Sequence, residues 1–457
     1  MTSPARQAAF EVLRALASGQ IDLGDALSRI RDPLKDPRDR ALATDLVFGT
    51  LRHRGAIDYQ LQRFSDKPLS RLDGPVLDSL RLAAYQILHL ERVPTSAVVN
   101  DAVSIVRAAR LHSAGPFANA VLRRLTRERD HLIWPARPEV TDTPDGRHAF
   151  REFLSTTYSH PSWLVGRWLG RYGAEAVETW LRFNNQPPAL TLATNRLRTD
   201  RTGLVSRLAA EDVGSVPTAI APYGLTVTRG QVLKTQAYRE GYCLIQDEAS
   251  QLVADLVEAK PATLVLDICA SPGGKTIALA AQVESTGLVV ATDVRARRVR
   301  LLATTVRRCQ AGRVRVARVP AVGPLPFRQG VFERVLVDAP CSGLGTVRRD
   351  PDIRWRRTES DLAALSQQQR DLLRRVAPTV VPGGRLIYST CSSEPEENEE
   401  VVAAFLGEQV DFRVLPITSL ERLSDPIRGL STAAGHFRSQ PSAGLEAFFG
   451  AVLERVG

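Results

Sequence analysis

The sequence predicts an α/β protein: a doubly wound parallel sheet preceded by an all-helical domain. Three observations lead there. From Gln246 onward, short apolar β-branched runs alternate with segments of helical period, the pattern of a parallel sheet with crossover helices. From Ala5 to about Asp130 the spacing is helical throughout. Three stretches also repeat a strand-then-break design: Thr263–Thr276 (TLVLDICASPGGKT), Val335–Gly343 (VLVDAPCSG) and Leu386–Ser393 (LIYSTCSS). Ligands of open α/β sheets bind outside the carboxyl ends of the strands, so the three breaks are expected to meet at one site.

In chain order, the helical domain spans 1–130. Phe10, Leu13 and Ala17 share a face, as do Val47 and Leu51, then Ile57, Leu61 and Phe64. Pro94-Thr95-Ser96 offers a helix start, with Val99, Val103 and Val106 following at helical spacing. Arginines such as Arg52, Arg54, Arg107, Arg110, Arg123 and Arg124 lie on other faces; singly they are solvated, together they form a candidate RNA-facing surface. Residues 131–150 carry Pro135, Pro138 and Pro144 among polar residues and read as a linker.

Residues 151–245 read as a small α+β module. Helices are expected around Trp163–Leu169 and Glu175–Phe183, stopped by Asn184-Asn-Gln-Pro-Pro188. Then come a β segment Ala189–Thr194, a helix Thr202–Ala210 and strands Leu225–Thr228 and Tyr242–Gln246. Residues 246–457 hold the large sheet, with strands Leu264–Ile268, Leu288–Thr292, Arg313–Arg318, Arg334–Val337 and Arg385–Ser389. Helices Val299–Cys309 and Leu362–Val376 lie between them, and Gly444–Arg455 reads as a final strand pair.

Composition narrows the function classes. The chain has 457 residues, 44% apolar and 24% charged, ordinary for a globular protein of two to four domains. No apolar run approaches the roughly 20 residues of a membrane span, and no signal-peptide pattern opens the chain, so a cytoplasmic protein without membrane attachment is expected. A net charge of +10 favours a polyanionic partner. Five cysteines without a C-x-x-C pair argue against a disulfide framework and against a metal site. The only lysines are Lys35, Lys67, Lys234, Lys260 and Lys275. Because the chain otherwise uses arginine for positive charge, a lysine inside the glycine turn reads as chosen for shape.

The turn Ser271-Pro272-Gly273-Gly274-Lys275-Thr276 invites a P-loop reading, but the glycine needed five residues before the GK pair is Cys269, and Pro272 removes an amide. The competing reading is a nucleoside-bearing cofactor without a triphosphate. Asp293 ends the second strand, 26 residues after Asp267, where an acidic side chain binds ribose hydroxyls; it can also cap the helix that follows. Cys243 and Cys309 read as small buried hydrophobes, and Cys269 as packed beneath the ligand turn. Cys341 and Cys391 each follow an apolar strand. Ser392-Ser-Glu-Pro395 looks like a helix start that would favour the Cys391 thiolate, while Glu394, Glu396 and Glu397 oppose that effect. Arg348, Arg349, Arg354 and Trp355 mix cations with an aromatic directly after the Cys341 turn, a candidate contact for single-stranded RNA.

The ordered set CASPGGKT (269–276), DAPCSG (338–343) and STCS (389–392) with PEENE (395–399) resembles the bacterial RNA (cytosine-5)-methyltransferases of the RsmB (Sun/Fmu) type. The resemblance runs nearly end to end: Asn119–Arg123 is similar to the NusB-like domain of that subgroup, and Asn184–Pro187 and Ile245–Ser250 to its middle region. It implies a Rossmann-like class I S-adenosylmethionine methyltransferase sheet, a 16S ribosomal RNA or small-subunit precursor as substrate, and a monomer. By the same resemblance Cys391 is the nucleophile that adds to carbon 6 of cytosine, and Cys341 serves product release. Asp338 and Lys275 hold the base, while Cys269, Ala270, Ser271, Pro272, Gly273, Gly274, Lys275, Asp293 and Asp338 line the cofactor site. Two departures stand out: Val319 falls where the family has an acidic residue toward the adenine, and Gly444–Phe449 reads GLEAFF where Asp-Gly-Phe-Phe is usual. A P-loop-like NTPase and a non-catalytic RNA-binding assembly factor are the alternatives.

Overall fold

The computed structural model describes residues 2–31 and 33–456. By contacts the chain divides into two units: residues up to Pro187 together with Val347–Glu359, and Pro188–Thr346 together with the chain from Ser360. Among the described residues no helix is long and apolar enough to cross a membrane.

The first unit is helical: α1 (Pro4–Ala17), α2 (Leu23–Arg31), α3 (Pro37–Arg52), α4 (Arg54–Phe64), α5 (Gly74–His89), α6 (Thr95–Ala108), α7 (Gly115–Glu128), α8 (Pro144–Thr157) and α9 (Ser162–Asn185). Their apolar stripes converge on a core containing Leu46, Ile57, Leu61 and Leu80, all fully buried. The stretch expected to be a linker, 131–150, is helical from Pro144: proline sits in the first turn of α8, and the Thr143 hydroxyl accepts from Gly146 N at 3.1 Å. The two helices expected around Trp163–Leu169 and Glu175–Phe183 are the halves of α9, kinked at Gly173, with Trp168 and Trp180 stacked across the kink at 4.7 Å.

In the second unit β1 (Thr191–Thr194), β2 (Gly214–Pro217), β3 (Gly224–Arg229) and β4 (Cys243–Ile245) form an antiparallel sheet in the order β2-β3-β1-β4. The sequence reading missed β2, whose Gly and Pro argue against a strand; it survives as an edge strand.

The large sheet comprises β5 (Leu264–Ile268), β6 (Leu288–Asp293), β7 (Val314–Arg318), β8 (Phe332–Asp338), β9 (Val380–Thr390), β10 (Phe412–Val414), β11 (Phe437–Ser439) and β12 (Phe448–Arg455), ordered β10-β12-β9-β8-β5-β6-β7 with β11 beside β12. Strands β5 to β9 are parallel, and their apolar runs are buried on both faces, as at Val265, Leu266, Val335, Leu336, Leu386 and Ile387. The order reverses on either side of β5, so its carboxyl end is the topological switch point, where a crevice opens. The tail departs from the expected pair. Gly444–Arg455 supplies one strand, β12, antiparallel to β9, β10 and β11; Pro441 and the left-handed Gly444 (φ 74°) occupy the turn before it.

Candidate functional site

The turn after β5 is held in shape by backbone. Ala270 N donates to Thr292 O at 2.9 Å, tying the turn to β6. Cys269 takes a positive φ of 62° and Gly273 one of 107°. A Cβ on Gly273 would lie 2.9 Å from Leu302 Cδ1, so both conformation and space demand glycine there. The helix Gly274–Val283 then starts, and Thr276 Oγ1 donates to the buried Asp267 Oδ2 at 2.6 Å. Burial pushes the Asp267 carboxyl up to about 7.

Lys275 projects from the first turn of this helix. Its Nζ donates to Asp338 Oδ2 and to Ser250 Oγ, both at 2.8 Å, and lies 5.6 Å from the centre of the Phe448 ring. Burial lowers the tendency of the ammonium to stay charged, but the charge and hydrogen bond of Asp338 outweigh it, and the net shift is upward. Ser389 Oγ donates to the other oxygen of Asp338 at 2.9 Å, so both carboxylate oxygens are positioned. The sequence reading gave Ser250, Ser389 and Phe448 no role; Ser389 sits two residues before Cys391, the signal that could have found it.

The thiols meet. Asp338 and Ser389 are register partners on β8 and β9, and just beyond them the Sγ atoms of Cys341 and Cys391 approach to 3.3 Å as free thiols. The loops that carry them are joined by Glu397. Its Oε1 accepts from Ser342 N (2.7 Å) and Gln369 Nε2 (3.0 Å), and its Oε2 from the hydroxyls of Ser342 and Ser392 (2.5 Å each). Its backbone carbonyl accepts from Tyr388 OH at 2.5 Å. Gly345 closes the other side: its N–H donates to Cys391 O at 2.9 Å, and a Cβ there would lie 2.0 Å from Ala447 O. The hydrogen bond with Cys391, then burial, raise the Cys341 thiol well above its ordinary value, so Cys341 holds its proton.

One expectation here is corrected. Pro395–Glu397 is a single 3-10 turn, and the α-helix begins only at Glu399, so the Cys391 sulfur is not at a helix N-terminus. Glu397, read as an opposing charge, is instead spent on the loop hydrogen bonds.

Beside the turn lies a cavity of about 610 Å³ lined by Cys269, Asp293, Arg298, Ala321, Val322, Pro340 and Gln369, among others. Asp293 Oδ1 accepts from Arg295 N at 3.1 Å just before the helix, which has no side-chain cap, and Asp293 lines the cavity with Oδ2 3.4 Å from Arg298 Nε. Burial, then Asp293 and Asp338, push the Cys269 thiol up to about 12, leaving it an uncharged wall. The Val319 side chain lies in the core, 5% exposed, and donates only its backbone N–H, to Asp293 O at 3.2 Å. The wall on that side is the 320–323 loop. The Arg375 guanidinium pins it by donating to the carbonyls of Pro320, Ala321 and Gly323 at 2.9, 2.8 and 2.7 Å. A strand-end carboxylate, an apolar wall and the buried, unpartnered Ser271 hydroxyl together suit a nucleoside-bearing ligand. They do not suit a triphosphate, because the Ala270 amide is already bonded and Pro272 has none.

Not every candidate joins this site. Arg354, Trp355 and Arg348 lie in the first unit. Arg354 is 0% exposed and donates to Ser159 O (3.0 Å), Asn184 O (3.2 Å) and Asn185 Oδ1 (2.9 Å), so its guanidinium is not offered to RNA. Trp355 packs on the helical core, with Nε1 donating to Leu51 O at 2.7 Å. Arg348 stacks on Phe183 at 4.2 Å and donates to the carbonyls of Gln186 and Pro187. Arg349 is half-buried, and Arg52 is buried. These side chains are needed as framework because this segment crosses into the helical unit.

Known protein families match the chain in three segments, one of which straddles the unit boundary at Pro187. Residues 254–454 match the 16S rRNA methyltransferase RsmB/F family, residues 3–127 the NusB family, and residues 160–233 the ferredoxin-like domain of RsmF/B-like methyltransferases. A probable ribosomal RNA small subunit methyltransferase B of Bacillus subtilis (strain 168) is 36% identical over 86% of this chain and 85% of its own length. A protein of the same description from Synechocystis sp. is 31% identical over 99% of each chain. Among solved structures, a methyltransferase homolog from Pyrococcus horikoshii is 26% identical with a TM-score of 0.55, covering 66% of this chain and 98% of its own.

Proposed function

Because the chain belongs to the family of RsmB-type ribosomal RNA small subunit methyltransferases, with S-adenosylmethionine as methyl donor, we propose that it methylates carbon 5 of a cytosine in small-subunit ribosomal RNA through a covalent bond from Cys391. The observation that carries this reading is the 3.3 Å approach of two free thiols beside the Lys275–Asp338 pair. Methyl transfer to carbon needs no second thiol unless a bond to the ring must first be made and then undone.

Bound S-adenosylmethionine supplies an electrophilic methyl group; residues 269–275, with Asp293 and the 320–323 loop, are the ones that would hold it. Carbon 5 of cytosine is a weak nucleophile. Addition of the Cys391 sulfur to carbon 6 makes the ring an enamine, and carbon 5 can then attack the methyl group. Asp338 is aimed by Lys275 and Ser389 and in this reading would bond the N3 edge of the base as charge develops. With its value raised, Cys341 keeps its proton 3.3 Å from the Cys391 sulfur, which supports Cys391 as the attacking sulfur. Once Cys391 is a thioether, the largest cause of the raised Cys341 value is gone. Cys341 then releases its own proton to solvent and, as thiolate, takes the carbon-5 proton, while the electrons of the C5–H bond form the carbon 5–carbon 6 double bond and expel Cys391 as thiolate. A base inside a stacked helix cannot reach paired thiols, so the target must be extruded or unpaired.

The test is methyl transfer to unmodified small-subunit RNA. Cys391→Ser is expected to lower turnover by at least about 1000-fold, since a hydroxyl is a far poorer nucleophile here; retained activity defeats the covalent mechanism. Cys341→Ala is expected to accumulate a protein–RNA adduct that survives denaturing electrophoresis. A clean gel with normal turnover removes Cys341 from product release.

A further inference from the structure

We infer that the arginine-rich edge of the second unit is a docking track for the phosphodiester backbone of the RNA that flanks the target base, running from the helix Ala296–Arg308 and edge strand β7 to Tyr242. The inference rests on the reading of the site given above. Between Asp293 and Glu333 the chain has no acidic residue and ten arginines. On the helix, Arg297, Arg300, Thr304 and Arg307 form one stripe at helical spacing, while Leu302, Thr305 and Cys309 on the other side are buried. Arg300 and Arg307 are exposed, as is Arg313 just before β7, and none of the three forms an ion pair among the described residues. Like charges on one helix face cost about 0.2–0.5 kcal/mol per pair, and the helix itself carries no acidic residue. Arginine on an edge strand also discourages strand pairing, which suffices for Arg313 and Arg315 but not for the helix stripe.

The track is continuous at both ends. At the helix start, Arg295 and Arg298 line the cavity. At its end, Asn195 Nδ2 donates to Cys309 O at 2.9 Å and to Gly241 O at 2.7 Å, joining the helix to the antiparallel module. There Arg198 and Arg207 lie over the Tyr242 ring at 4.3 and 4.2 Å, and Arg196 over the exposed Tyr223 ring at 4.2 Å. Stacking holds these guanidiniums flat; Arg198 also donates to Glu240 O at 3.0 Å, and a stacked guanidinium can still turn an edge toward phosphate oxygens. The 13-residue helix is about 20 Å long, the span of about six phosphates on one stacked strand. An anionic membrane fits less well, because a membrane-binding helix turns its apolar face outward and this one turns it into the sheet.

The experiment compares Arg300→Gln/Arg307→Gln/Arg313→Gln with Arg374→Gln/Arg413→Gln/Arg422→Gln, an equal charge loss that includes Arg413 on β10 at the opposite edge of the sheet. Binding of a small-subunit RNA fragment is measured from 50 to 300 mM salt. For the first variant the dissociation constant is expected to rise about tenfold, and the slope of log K against log salt to flatten by about 2. The second variant should keep the wild-type slope, and both should bind S-adenosylmethionine as wild type does. Equal slopes in the two variants, or a first variant that loses only binding to phosphatidylserine vesicles, overturn the track. Wild-type protein that binds RNA but transfers no methyl group to it defeats the reading of the site instead.

Discussion

Two segments of this chain are equally rich in arginine and meet opposite fates. Val347–Arg357 carries five arginines and Arg295–Arg318 nine, and in sequence only the first reads as an RNA contact. In the first, Arg354 is wholly interior, Arg348 is stacked on Phe183 and Trp355 is bonded to Leu51 O. In the second, the helix keeps Arg300 and Arg307 in solvent because its other face is needed by the sheet. The difference lies in periodicity. A helix of thirteen residues with one apolar stripe assigns its arginines to water, whereas an irregular segment with a single helical turn, Ile353–Arg356, assigns nothing until tertiary partners are known. Arginine content alone therefore says little about nucleic acid; arginine on the polar side of a regular element says more.

The sharpest way to break this contrast is Arg354. Its removal leaves the carbonyls of Ser159 and Asn184 and the Asn185 side chain without their donor, in an interior that no water reaches. Arg354→Ala is expected to destabilise the helical unit by about 3 kcal/mol or more, and Arg354→Met, which refills the volume without donating, by nearly as much. Thermal denaturation measures both. Unchanged melting with lost RNA affinity would return the segment to a nucleic-acid role. Trp355→Phe is a smaller probe. It keeps one aromatic ring but loses part of the indole volume together with the bond to Leu51 O, for an expected loss of about 1–2 kcal/mol by the same measurement.

The legible parts of the molecule were those where local sequence and tertiary role coincide. The parallel strands are buried on both faces, so uninterrupted runs such as Leu264–Ile268 and Arg334–Val337 could be found without a structure. β9 was found only from Arg385, because Pro382 and Gly383 disguise its start at Val380. Cys341, Cys391, Lys275 and Asp338 could be expected at one site because each stands at a strand end or a helix start, where the parallel register brings such positions together, while their separate roles came from the resemblance. Glu397 and Arg375 could not. Their roles consist of hydrogen bonds to loops distant in sequence, and a charge on a helical turn looks the same whether it faces water or a neighbouring backbone. The crossing of Val347–Glu359 into the helical unit was invisible for the same reason.

Arg375 supplies a third fate for arginine, and the smallest expected effect. It is half-buried on the helix Asp361–Val376, yet it is neither framework for a core nor offered to a polyanion; its three hydrogen bonds go to the loop that walls the cavity where Val319 turns inward. If an apolar backbone loop replaces an acidic contact toward the adenine, the loop must be held still, because ordering it on binding would be charged against affinity. Arg375→Gln is shorter and leaves a single amide nitrogen as donor in place of the fork that reaches three carbonyls. The expected result is a rise of about threefold in the dissociation constant for S-adenosylmethionine, less than 1 kcal/mol, with RNA affinity and its salt slope unchanged. Calorimetric titration of the donor and the RNA salt series check the two halves. A variant that instead loses RNA affinity places Arg375 with the exposed stripe of Ala296–Arg308, and the line drawn between arginines that hold backbone and arginines that meet phosphate would then fall elsewhere.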